Sequence, residues 1–195
     1  DRPVGRKAII TPPPVKIIAE KYNIPVLQFE KIRNGGAEEL KNFGADIMVT
    51  CAYGQILSKD ILDVCPKGII NIHASLLPKY RGAAPIQYAI VNGEKKTGVT
   101  IMKTEEGLDT GDIIAVYETE IGETETAGEL SKRLSEIGAE HICEVLTDIE
   151  NNTATYTKQN DAEATVVKTI KKEQTEVDFT KSGREVACFI NGMSP

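Results

Sequence analysis

No stretch of the sequence approaches the roughly 20 consecutive apolar residues that a bilayer crossing needs, and no charged-then-apolar leader opens it. A soluble, unsecreted protein of the cytoplasm, with no membrane partner, is expected. Paired cysteines are missing as well. The four present, Cys51, Cys65, Cys143 and Cys188, stand far apart without C-x-x-C spacing, which argues against a zinc site or a disulfide framework and fits reduced thiols. Positive charge is in deficit, 23 Lys and Arg against 29 Asp and Glu, a net charge of −6 that opposes general binding to nucleic acid. Any RNA contact must be local. The acidic run Glu105, Glu106, Asp109 and Asp112 has no calcium-loop spacing and no second His nearby in sequence, so no metal is expected. Internal repeats are absent too.

What is there reads as one domain. At 195 residues the chain can hide roughly 70% of its unfolded surface, and its 41% hydrophobic and 27% charged residues are ordinary for a globular protein. Residues 1–14 carry Arg2, Arg6 and Lys7 among Pro3, Gly5 and Pro12-Pro13-Pro14, the composition of a basic, mobile loop. Pro14 suits a first helical turn, and a helix from Val15 is expected, followed by a short strand over Pro25–Phe29. A helix over Ala37–Phe43 stopped by Gly44, a doubly buried strand over Asp46–Cys51 and a helix over Ile56–Val64 come next. Gly68–His73 reads as a strand and Pro85–Val91 as the helix after it. This alternation predicts an α/β fold with a mostly parallel central sheet flanked by helices. Two more strands, Thr97–Lys103 and Ile113–Ile121, are separated by an exposed loop over Glu105–Asp112. The longest helix starts at about Thr126, where Thr126-x-x-Glu129 has capping-box spacing and Leu130, Leu134, Ile137, Ile142, Leu146 and Ile149 form an apolar stripe. Beyond Asn151 the signals are weak until a last helix over Arg184–Ile190.

The chemistry is concentrated at Asn71-Ile-His73, on the carboxyl end of a predicted strand, where open α/β sheets place ligands. Side chains alternate along a strand, so Asn71 and His73 share a face. An amide there can stabilise an oxyanion and an imidazole can move protons, the pair that acyl transfer uses. Asp109, in the loop between two later strands, could orient the imidazole and favour its protonated form. The stiff loop Ala74–Gln87, with two prolines and a glycine, could wall a flat heterocycle. Bland readings compete at the other features. Gly93–Gly98 has the two glycines of a phosphate loop but Val99 where the lysine belongs, so it is a turn. His141 sits on a helix among Glu140 and Glu144, an ordinary surface position.

The string Asn71-Ile-His73-Ala-Ser-Leu-Leu-Pro-Lys-Tyr-Arg-Gly82, followed by Gly107-Leu-Asp-Thr-Gly111, resembles the signature of the 10-formyltetrahydrofolate-dependent formyltransferases. Thr11–Lys16, Ala52–Leu57, Arg81–Gln87 and Thr97–Met102 are most similar to the methionyl-tRNA formyltransferase family within that group, almost end to end. The resemblance implies a Rossmann-like domain over residues 1–190, lacking a first strand, with 191–195 beginning a linker to a β-barrel domain. It implies Asn71, His73 and Asp109 as the catalytic set, and 10-formyltetrahydrofolate as formyl donor. Ser75, Leu76, Leu77 and Pro78 would line the folate site, and Tyr53, Gly54, Gln55, Ile56 and Leu57 would form a neighbouring wall. Arg2, Arg6, Lys7 and Lys16 would belong to a loop gripping initiator methionyl-tRNA, and a monomer is expected. Two alternatives stay open at this point: a formyltransferase acting on a small amine such as glycinamide ribonucleotide, and a folate-binding fragment without turnover.

Overall fold

A computed structural model of the chain describes residues 1–4 and 8–195, so Arg6 and Lys7 lie outside the described residues. At the amino end the expected loop is instead a two-stranded antiparallel ribbon, β1 (Arg2–Val4) with β2 (Ile9–Thr11). The β-branched pair Ile9-Ile10 explains the extended backbone better than the surrounding prolines suggested. Helix α1 (Pro14–Lys21) begins at its proline, as expected, but buries none of its residues. Residues 25–29 form no strand. Pro25 brings no N–H to a ladder, and a strand exists only where a neighbour pairs with it.

Helix α2 (Gly36–Lys41) is followed by β3 (Met48–Cys51), the short α3 (Lys59–Leu62) and β4 (Ile69–His73). Strand β3 lies at one edge of the four-stranded sheet, which explains why its residues alternate between half-buried and exposed where full burial was expected. Next come β5 (Arg81–Gly82), α4 (Pro85–Val91), β6 (Lys96–Lys103) and β7 (Ile113–Glu120). The chain continues with α5 (Ala127–Glu150), β8 (Val166–Val167) and α6 (Gly183–Met193). Helix α6 starts at its Ser182–Glu185 capping box and runs on past the expected helix end at Ile190, where its Gly192 packs on Val91 and the Gln87 carbonyl. No helix among the described residues is long and apolar enough to cross a membrane.

The sheet order is β3-β4-β6-β7. It is a central sheet flanked by helices, as expected for an α/β protein, but only β3 and β4 run parallel; β4–β6 and β6–β7 are antiparallel. The reason lies in α4. Its seven residues rise only about 10 Å, too little to return the chain to the start of β4. The chain therefore turns at Gly93 (φ 68°) and enters β6 from the carboxyl end of β4, pairing His73 with Thr100.

Alternation along β4 decides what faces what. Ile70 joins Val99, Ile101, Leu130, Leu134, Val145 and Ile149 in the main core under α5, and Ile72 touches Gly138 of that helix. Ile69 faces the opposite side, where it packs with Ile32 and Ile61 against Leu40, Met48 and Leu57. Asn71 and His73 follow Ile69 on that second face, beyond the end of its apolar cluster. Helix α5 is fixed at both ends. Thr126 and Glu129 form the expected capping box, and Lys67 Nζ donates to the carbonyls of Ile149 and Glu150, where the helix dipole favours a cation.

Candidate active site

His73 is buried, and its Nε2 lies 3.0 Å from the Tyr80 carbonyl oxygen. A carbonyl can only accept, so Nε2 carries a proton and the neutral ring presents its lone pair at Nδ1. That nitrogen stands 3.7 Å from Asp109 Oδ2, too far for a direct hydrogen bond and close enough for a charge interaction. Asp109 Oδ2 also accepts from the Gly82 N–H at 2.8 Å. The loop between β6 and β7 thus reaches back to the loop after β4, and the carboxylate is tied to the backbone beside the imidazole.

Asn71 sits two residues earlier on the same face. Its Oδ1 accepts from Thr50 Oγ1 at 2.9 Å, across the parallel β3–β4 pair. With its oxygen engaged, the amide is oriented so that its N–H groups are the donors left over; Nδ2 has no hydrogen-bond partner among the described residues. Three sequence positions expected to act together are therefore joined pairwise: Asn71 to His73 by strand alternation, and His73 to Asp109 by proximity. The arrangement offers a donor for a developing negative charge, a basic nitrogen and an adjacent carboxylate.

The structure also shows how the neighbouring walls are built. Because β3 and β4 are parallel, residues 52–54 and 74–76 leave the sheet at the same end. Tyr53 and Gly54 are exposed there, and Ile56 is 90% exposed. Gln55 turns inward: its Oε1 accepts from Ile32 N–H and its Nε2 donates to the Phe29 carbonyl, pinning the preceding loop. Leu57 packs against the second core cluster. Ser75 is fully buried and donates to the Lys79 carbonyl at 2.7 Å, closing the turn, while Thr100 Oγ1 donates to the Ser75 carbonyl and accepts from Leu77 N–H. Leu77 is buried and Pro78, after a cis peptide bond, is half-buried. Leu76 points to a small cavity of about 160 Å³ with Lys79, Tyr80, Glu94, Lys96 and Thr97. None of Asn71, His73 and Asp109 lines that cavity, which is well below the size usual for a drug-sized ligand, so the carboxyl ends of β3 and β4, where Asn71 and His73 lie, are the better candidate for chemistry.

Tyr80 anchors the loop from the other side. Its phenol donates to Glu94 at 2.7 Å and accepts from Asn92. Burial, opposed by the Asn92 donation and reinforced by Glu94, pushes this phenol up to about 12. The hydroxyl stays protonated at neutral pH and keeps donating to Glu94. Of the basic residues, Lys16 is held by Asp1 at 2.8 Å and Gln28 at 2.7 Å. The second histidine, His141, stacks flat on Tyr117, ring centroids 3.7 Å apart, a packing role.

A family model described as formyl transferase matches residues 1–146. The chain belongs to the formyl transferase family. It is similar to the methionyl-tRNA formyltransferases of Bacillus velezensis (strain DSM 23117 / BGSC 10A6 / LMG 26770 / FZB42), 47% identical, and Geobacillus sp. (strain WCH70), 48% identical, in each case over all of this chain and 62% of the relative. This formyl transferase chain therefore spans about three fifths of the length of those relatives. Among solved structures, a 4-N formyltransferase from Francisella tularensis superposes with a TM-score of 0.74 at 25% identity, covering 92% of this chain and 73% of that one. The N-formyltransferase from Helicobacter canadensis, in complex with folinic acid and dTDP-3-aminofucose, gives 0.73 at 25% identity over 89% and 61%. The methionyl-tRNA formyltransferase from Clostridium thermocellum gives 0.70 at 23% identity over 90% and 75%, a likeness of fold. The Rossmann-like formyltransferase fold expected from the motifs is thus the fold observed.

Sequence reasoning missed Thr50, whose hydroxyl donates to Asn71, and the Gln159–Arg81 pair, in which Gln159 also donates to the Asp109 carbonyl. Thr50 could have been found from the expected pairing of neighbouring strands. Gln159 stands in a polar stretch with no periodicity and gave no local signal.

Proposed function

We propose that this chain is the catalytic part of a methionyl-tRNA formyltransferase, moving the formyl group of 10-formyltetrahydrofolate to the α-amino group of methionyl-tRNA. The observation that carries the proposal is the 47–48% identity with proteins of that name across the whole of this chain. The folate supplies an activated formyl carbon. Asn71 Nδ2–H donates to the formyl oxygen as the amine adds. His73 Nδ1 takes a proton from the attacking amine and returns one toward the departing folate nitrogen. Asp109 stabilises the ring while it is charged. Free α-amino groups lose their proton near pH 8, so at neutrality part of the substrate already has a free lone pair and the base completes the task after attack.

The folate reading is supported by the parallel exit of the 52–54 and 74–76 segments and by the exposure of Tyr53, Gly54 and Ile56, which would form one wall of the folate site. Pro78 would complete that wall, with Ser75, Leu77, Gln55 and Leu57 shaping it from underneath, and Leu76, whose side chain turns to the separate cavity with Tyr80 and Thr97, would contribute only as part of the loop. Arg2, Arg6, Lys7 and Lys16 would contact the acceptor end of the tRNA, and the linker after α6 would lead to a further RNA-binding β-barrel domain. The protein would act as a cytoplasmic monomer in translation initiation. The deciding experiment offers the full-length protein 10-formyltetrahydrofolate with methionyl-tRNA and, separately, glycinamide ribonucleotide. Formylation of the tRNA substrate alone is expected. Preference for the ribonucleotide would replace this reading with the small-amine one.

A further inference from the structure

Asp109 adopts a left-handed backbone conformation, φ 52°, which a residue with a side chain rarely holds without support. The support comes from a residue 50 positions away. Gln159 Nε2 donates to the carbonyl of Asp109 at 2.9 Å and to the carbonyl of Gly111 at 2.8 Å. At its other end, Gln159 Oε1 accepts from Arg81 Nε at 3.0 Å and Nη2 at 2.8 Å. Arg81 is itself buried, 6% exposed, and its Nη2 also donates to Asp161 Oδ1 at 2.8 Å. The orientation of the Gln159 amide is forced chemically: a guanidinium only donates and carbonyls only accept, so the oxygen must face Arg81 and the nitrogen must face the loop.

We propose that Gln159 is a positioning residue that fixes the Asp109 carboxylate beside His73. Gln159 lies outside the stretch matched by the family model, residues 1–146, on a tail that is stapled to both loops of the site. Thr157 exchanges hydrogen bonds with Ile113 just after the Asp109 loop. Thr165 and Val167 accept from the N–H groups of Arg81 and Ala83, and Thr165 Oγ1 accepts from that of Tyr80. Between these two staples, Gln159 connects the Arg81 side chain to the Asp109 backbone. It therefore sets the distance between a loop that carries the carboxylate and a loop whose Gly82 N–H and Tyr80 carbonyl hold the carboxylate and the imidazole. No other uncharged side chain presents two donors and an acceptor at this length.

The inference rests on the proposed formyl transfer for its kinetic test and has a second readout that does not. Two variants of the full-length protein separate positioning from simple anchoring. Gln159→Glu keeps an acceptor for Arg81 but faces the carbonyls of Asp109 and Gly111 with oxygen; Gln159→Met removes both functions at similar volume. Because displacement of a catalytic group by about 1 Å can cost about a hundredfold, kcat for formyl transfer is expected to fall about 10-fold to 100-fold in both, with KM for the folate within about twofold and melting temperature close to the parent's. A Gln159→Glu protein with parental kcat would overturn the proposal, since the Arg81 contact alone would then suffice. Loss of melting temperature in step with activity in both variants would also overturn it, in favour of a structural role. If the parent transfers no formyl group, the functional reading fails and amide exchange at Gly82 decides instead: faster exchange of that N–H in both variants supports the positioning of Asp109, and unchanged exchange refutes it.

Discussion

Residues 1–57 and residues 58–195 are built on different terms. In the first stretch only Ile32 and Gly36 are buried among the described residues, and Val15, Ile18 and Tyr22 are 81%, 53% and 65% exposed. In the second, Ile61, Ile69, Val99, Ile101 and Leu130 have essentially no exposed surface, and most of the long-range side-chain hydrogen bonds lie there. Asn71, His73, Asp109 and Gln159 all belong to the second stretch; the first gives the proposed catalytic set one side-chain hydrogen bond, Thr50 to Asn71. Packing and chemistry thus share one scaffold, and the contrast teaches where each kind of substitution should be felt.

The largest effects should fall on turnover and leave the scaffold standing. Asn71→Ala removes the free donor of the site, so kcat should drop by about 100-fold to 1,000-fold in a formyl-transfer assay, as loss of one oxyanion donor does elsewhere. Its circular dichroism should match the parent's, and near-parental turnover would take Asn71 out of the chemistry. Next in size is a direct break of the contrast between the two stretches. Leu130→Ala, in the main core, should lower unfolding free energy by about 2–5 kcal/mol. Ile18→Ala should change it by no more than about 0.5 kcal/mol, as surface substitutions do. Denaturant titration of both in the full-length protein checks the pair. A large loss from Ile18→Ala would show that α1 is covered by a packing partner.

The smallest expected effect concerns pH. Tyr80 has its phenol pushed up to about 12, above the ordinary value near 10, so the folded state holds that proton more tightly than the unfolded chain. The associated stability is fully present below pH 10 and is lost as pH rises through about 12. The difference in urea midpoint between the parent and Tyr80→Phe should therefore shrink over that window. A constant difference would mean that the Glu94 and Asn92 contacts do not depend on the phenol's proton.

How much of this was legible beforehand depended on how local the cause was. The start of α5, the limits of α4 and the two-residue spacing of Asn71 and His73 follow from capping, proline and alternation, all short-range. The direction of β6 was misjudged because an alternating pattern suggested crossovers, although the brevity of the Pro85–Val91 segment carried the correction. The absence of a strand over residues 25–29 and the exposure of β3 depend on which neighbours pair with them, information no window of sequence contains. The tail between Asn151 and Val167 is the extreme case. Its two-residue strand, its bridge to Ile113 and its glutamine are defined wholly by distant partners, so its polar, Thr-rich sequence read as featureless.

The segment Arg81-Gly82-Ala83 has its successive amides aimed in opposite directions: Arg81 and Ala83 donate to the tail, and Gly82 donates to Asp109. A side chain at position 82 would lie 2.2 Å from the Val167 carbonyl at its first carbon, and φ is 112°. Three residues thus act as a two-sided connector whose parity cannot be altered. Relatives could vary the number of residues between α5 and Thr157, since a longer excursion there moves neither the end of the helix nor the bridge to Ile113. An insertion of one residue between His73 and Gly82 would present the wrong face to both partners, so length variation is expected on one side of this junction and strict spacing on the other.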